Sequence, residues 1–116
     1  MKIRTCYFKV SSMSQSVQLW KSLLELEPVK FGEKYSEFRL ENINLGFVLN
    51  DFGDKFAGSN CVPVFEFADD ELPPYIERAK SLNCSVLLDG LTNPNLRSIV
   101  FADPWGNEFE FSRFHD

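Results

Sequence analysis

Residues 2–10 carry β-formers, Ile3, Cys6, Phe8 and Val10, between polar positions, and the alternation predicts a strand. The period then changes. Met13, Val17, Trp20 and Leu24 recur at helical spacing, and Leu19, Leu23 and Leu26 widen the stripe. This predicts a helix over 13–26, capped by Ser12 and ended by Pro28. Trp20 on that stripe is expected in the core. Extended segments follow at 29–32, 35–41 and 43–50. The last runs almost wholly apolar from Ile43 to Leu49, which suits a buried strand.

The pattern then restarts. Asp51, Gly53, Asp54, Gly58, Ser59 and Asn60 are turn formers and mark 51–60 as a connection. Cys61 to Phe67 reads as a strand. Asp69-Asp70-Glu71 places negative charge at a helix start, and Pro73 and Pro74 are tolerated only in a first turn. The second helix is therefore expected over about 73–82, with Ile76, Ala79 and Leu82 inward and Asn83 at its C-terminal end. Strands are expected at about 84–89, 96–102 and 107–114. The order is strand, helix, three strands, twice over. This is an α+β chain of two βαβββ modules in a single domain, 1–116, with module one over about 1–50 and module two over about 61–116.

Composition narrows the partners. Net charge is -5 and the 12 Lys and Arg are scattered, so nucleic acid is not an expected partner. No apolar run approaches the ~20 residues of a membrane span. The start, Met1-Lys2-Ile3-Arg4, lacks a signal-peptide apolar region. Cys6, Cys61 and Cys84 are odd in number and far apart, which fits free thiols and a cytoplasmic location. None has CxxC-type spacing. The 12 Phe residues provide core, pocket or interface material.

Candidate chemistry is sparse. The single His, His115, stands beside the C-terminus, so no Ser-His-Asp set can be assembled. No Gly-rich phosphate loop is present. Arg39 and Arg97 fall on expected strands and suit either surface ion pairs or an anionic ligand. Tyr7 shares a strand face with Thr5 and Lys9 and is a candidate for stacking on an aromatic ligand. The densest signal is 103–111, Asp-Pro-Trp-Gly-Asn-Glu-Phe-Glu-Phe. Asp suits the first turn position, Pro the second, and Gly the left-handed one. The turn feeds a strand on which Glu110 lies between Phe109 and Phe111.

That wording resembles the closing strand of the glyoxalase / bleomycin-resistance / extradiol-dioxygenase (vicinal oxygen chelate) superfamily. The segment from Val10 through Leu19-Trp20 to Pro28-Val29 resembles the superfamily's first module, with Ser12 for the usual Asp, Trp20 for Tyr and Glu25 for Gly. Phe65 to Asp70 resembles the restart of the second. The resemblance implies a curved, cup-like mixed sheet with helices outside. It also implies metal-ligand positions, which in this chain fall on Thr5, Val62, the Gly46/Phe47 segment and Glu110. Only Glu110 offers a carboxylate. The implied function is a metal-free small-molecule-binding protein, in the style of drug-sequestering resistance proteins, with no cofactor and a small apolar or aromatic ligand. Glu110, Tyr7, Thr5, Phe47 and Arg97 are its candidate ligand residues. Glu110 on a solvated sheet face is the competing reading. A homodimer is implied, because the superfamily is usually built from four modules. The alternatives are a metal-dependent lyase, isomerase or dioxygenase, or an interaction module without a pocket.

Overall fold

The computed structural model describes residues 1–53 and 61–113. The elements are β1 (Thr5–Val10), α1 (Met13–Leu24), β2 (Lys30–Phe31), β3 (Tyr35–Arg39), β4 (Asn44–Leu49), β5 (Val64–Glu66), α2 (Leu72–Ser81), β6 (Ser85–Asp89), β7 (Ser98–Ala102) and β8 (Glu108–Ser112). They fall into two compact units, Met1–Cys61 and Val62–Asp116. Each holds one helix and one four-stranded mixed sheet, ordered β1-β4-β3-β2 in the first and β5-β8-β7-β6 in the second. In each sheet the opening strand pairs parallel with the closing strand, and the other neighbours pair antiparallel. The strand–helix–three-strand order read from the sequence is thus present twice, in one topology.

Helix α1 starts where Ser12 puts it. The Ser12 hydroxyl accepts from the Gln15 amide, satisfying one orphan donor of the first turn. Its end differs from expectation. The helix stops at Leu24, before Pro28, because Glu25 turns into the left-handed region at φ 54°. That is a position glycine usually takes. Trp20 is fully buried, against Phe8 and Phe47, and Phe38 meets Phe47 edge-on. Four large aromatic groups therefore form the core between α1 and its sheet.

Helix α2 opens with Pro73 and Pro74 in its first turn, as expected. The Glu71 carboxylate accepts from the Ala68 amide and so organises the entry to the helix. Beyond the C-cap residue Leu82, Asn83 takes φ 66°, and the Cys84 amide returns to the Ala79 carbonyl. Phe101, Phe109 and Phe111 are fully buried and mutually packed, with Phe65, Phe67 and Tyr75 around Phe111.

The turn at 103–107 is more completely bonded than its sequence alone shows. One Asp103 oxygen accepts the amides of Trp105 and Asn107, and the other accepts the Asn107 side-chain amide at 2.9 Å. Gly106 sits at φ 92°, where a side chain would be strained. No helix among the described residues is long and apolar enough to cross a membrane. The turn-forming loop signals at 54–60 and His115 lie outside the described residues.

Candidate functional site

Strand alternation divides each sheet into a helix-covered face and a helix-free face. In the first unit Phe8, Phe38, Leu45 and Phe47 point to α1. The residues between them point the other way, and strand register brings those together. Thr5 pairs with Asn44, Tyr7 with Gly46, and Glu37 with Gly46 from the opposite side.

At the centre is a polar cluster around a glycine. A Cβ on Gly46 would lie 2.9 Å from the Tyr35 hydroxyl oxygen, 3.1 Å from the Tyr35 ring and 3.2 Å from the Thr5 methyl. The Tyr35 ring therefore occupies the space that any side chain at position 46 would need. Its hydroxyl lies 3.4 Å from Glu37 Oε1, and Asn44 Nδ2 donates to Glu37 Oε2 at 3.3 Å. Glu37 is only 2% exposed. A carboxylate so buried is costly unless donors compensate it. Here the donors are neutral and their hydrogen bonds long. Burial first, and then the Glu37 charge, raise the Tyr35 phenol above its ordinary value, while a hydrogen bond from Thr5 opposes them. The phenol accordingly stays protonated through neutral pH as a donor.

In the second unit Glu110 lies on the face opposite Phe109 and Phe111, half-buried. Its register neighbours are Val64 on β5 and Val100 on β7. Its backbone amide donates to the Pro63 carbonyl. The acid thus stands among valines, and its control, Glu108, is exposed nearer the turn.

The other sequence candidates fare differently. Thr5 and Tyr7 are on the helix-free face of the first sheet, and Tyr7 is 49% exposed. Phe47 is not available to a ligand there: it is fully buried on the opposite face, against Trp20 and Phe8. The resemblance left positions 46 and 47 open, and strand alternation sends these neighbours to different faces. Arg97 does not lie on a strand. It precedes β7 with φ 52°, and its Nη2 donates to the Arg113 carbonyl. Arg39 is exposed on β3. Val62 precedes β5.

Glu37, Tyr35 and Asn44 were not singled out from sequence. Two signals pointed to them. Tyr35-x-Glu37-x-Arg39 puts three polar side chains on one strand face, and Gly46 interrupts an apolar strand, a mark of close approach.

Of the positions that the resemblance assigns to metal ligands, only Glu110 carries a carboxylate. Among the described residues no three His, Cys, Asp or Glu side chains are grouped to hold one. At Gly46 the obstacle is physical: the Tyr35 ring fills the volume a donor side chain would need.

No family model matches the chain, and no curated protein does. Solved structures do match. An Agrobacterium tumefaciens protein determined by NMR aligns over 100% of this chain and 99% of its own, with TM-score 0.84 and 18% identity. A lactoylglutathione lyase from the same organism gives 0.68 at 17% identity, over 97% and 92%. A Listeria monocytogenes fosfomycin resistance protein, solved with Mn(II) and a dihydroxypropylphosphonic acid, gives 0.70 at 18%, over 97% and 87%. The last two are vicinal oxygen chelate proteins, so the resemblance carried by the motifs holds for the fold.

Proposed function

We propose that this chain, with the fold of the vicinal oxygen chelate proteins, binds a small apolar or aromatic molecule without a metal. The observation that carries the reading is the Tyr35 ring over Gly46. Position 46 carries no donor of its own, the neighbouring Glu37 carboxylate is engaged by Tyr35 and Asn44, and Glu110 is the carboxylate among the positions the resemblance assigns. Each unit has its own proposed ligand residues: Thr5 and Tyr7 on the first sheet, and Glu110, between Val64 and Val100, on the second. Around Glu110 the valines supply apolar surface with one polar group to orient a ligand, and on the first sheet Tyr7 offers an aromatic ring for stacking.

A thermal-shift screen of apolar and aromatic compounds, run in chelator, tests this. A ligand in excess over its Kd stabilises the folded state. Stabilisation that persists in chelator is the expected result. Stabilisation only on adding divalent metal overturns the reading. It would instead favour the second one, a metal-dependent enzyme, which the lyase and the Mn(II)-bound neighbour support.

The same proposal includes a homodimer in the cytoplasm. Edge strands β2 and β6 expose Phe31, Val86, Leu87 and Leu88, and exposed apolar edges favour pairing with another chain. Light scattering at micromolar concentration is expected to give twice the 13.4 kDa chain mass. The chain mass itself would refute the dimer. The cytoplasmic location rests on Cys6, Cys61 and Cys84, odd in number and far apart in the sequence.

A further inference from the structure

We propose that Arg97 and Arg113 form an oxyanion-binding site at the loop between β6 and β7, taking a phosphate, phosphonate or carboxylate group. Arg97 stands just before β7 and Arg113 just after β8, and the antiparallel β7–β8 pairing brings their backbones together. The Arg113 amide donates to the Arg97 carbonyl, and Arg97 Nη2 donates back to the Arg113 carbonyl at 2.6 Å. Arg113 Nη2 in turn donates to the Leu91 carbonyl at 3.1 Å. The Arg97 guanidinium is thus held on the backbone just after β8, and the Arg113 guanidinium on the β6–β7 loop.

The loop is itself well fixed. The Gly90 amide donates to the Ser98 carbonyl, and the Arg97 amide to the Asn93 carbonyl. The Leu96 side chain packs where a Cβ on Gly90 would stand. Asp89, at the end of β6, accepts the Leu91 amide through one carboxylate oxygen and so holds the loop's start. Arg97 holds φ 52°, a region that long side chains seldom occupy.

Charge gives the arrangement its direction. Both arginines are half-buried, and among the described residues neither forms an ion pair with a carboxylate. Each side chain spends one of its five N–H donors on a carbonyl, leaving the fork geometry that matches an oxyanion. Two fixed like charges repel, and a bound oxyanion relieves the repulsion. Partial burial leaves the attraction less screened by salt than at an open surface.

The site goes beyond the ligand surface proposed above and is tested separately from it. Inorganic phosphate and acetate are titrated into the unmodified protein at ionic strength matched with sodium chloride, and the arginine Nε–Hε signals are followed by NMR. Saturable shifts at Arg97 and Arg113 with either anion are expected. Saturation by one anion alone identifies which oxyanion geometry the site prefers. The companion measurement is the melting temperature, expected to rise by a few degrees with the binding anion over chloride. The Arg97→Gln/Arg113→Gln double variant is expected to lose that rise. Shifts no larger than those with chloride overturn the proposal, as does a rise that survives in the double variant. Because the NMR arm uses the unmodified chain, a variant that fails to fold leaves the test intact.

Discussion

Gly46 is the residue on which the site turns. A methyl group there would press on the Tyr35 ring and hydroxyl, and overpacking of this kind costs about 1–3 kcal/mol. The strain belongs to a pair, so it disappears when the partner is removed. Gly46→Ala is expected to destabilise the protein, and to do so much less in a Tyr35→Ala background. Denaturant melts of the four proteins in that cycle check it. Equal losses in both backgrounds would mean that Tyr35 does not fill the space over Gly46. At Glu110 the charge is the feature under test. If its carboxylate accepts a hydrogen bond from ligand, Glu110→Gln loses roughly 1.5–3 kcal/mol, about ten- to a hundredfold in affinity. Glu108→Gln, on the same strand face but exposed near the turn, is expected to change affinity little. Calorimetry with any ligand from the screen reads both, and equal affinities in all three proteins would place Glu110 on a solvated face.

The elements were legible wherever one local rule governed them. Ser12 capped α1 and Pro73-Pro74 opened α2 because both follow from backbone donors that a first helical turn leaves unpaired. The end of α1 was misread because Glu25 adopts the left-handed conformation without glycine, which no propensity announces. Strands were read too long at their ends, since pairing register decides where a ladder stops. Phe47 was a candidate because the resemblance left positions 46 and 47 open, and strand alternation puts Phe47 on the helix-covered face. Glu37 was missed because a polar residue on an alternating strand reads as solvated, and its partner Asn44 arrives only through the β3–β4 pairing. The junction between α2 and β6 supplies a pH test. Burial, and then the Asp103 charge, push the Cys84 thiol from 9.0 up to about 12. Above pH 9 the unfolded chain releases this proton while the folded chain keeps it. Stability from this group is therefore full below pH 9 and is lost as pH rises toward 12, by at most about 1.4 kcal/mol per pH unit. Cys84→Ala is expected to flatten the decline of stability across that window. An unchanged slope would show that the thiol is not desolvated.

At the scale of the whole molecule, duplication was the feature the sequence displayed most clearly. Two copies of one element order gave two sheets of one topology, and the fold follows from that repetition. Function did not follow in the same way. A fold hosts many chemistries, and the chemistry lives in the residues grafted onto it. Here the positions that the resemblance assigns to metal ligands are Thr5, Val62, the Gly46/Phe47 segment and Glu110, and only Glu110 carries a carboxylate. The Glu37 carboxylate beside Gly46 is engaged by Tyr35 and Asn44, and the proposed reading is that no transition metal is retained. The decisive measurement is elemental analysis of the purified protein after incubation with manganese, iron, nickel and zinc salts and removal of free metal. The account predicts well under one ion per chain for each. One ion per chain of any of them, lost in Glu110→Gln, would contradict it.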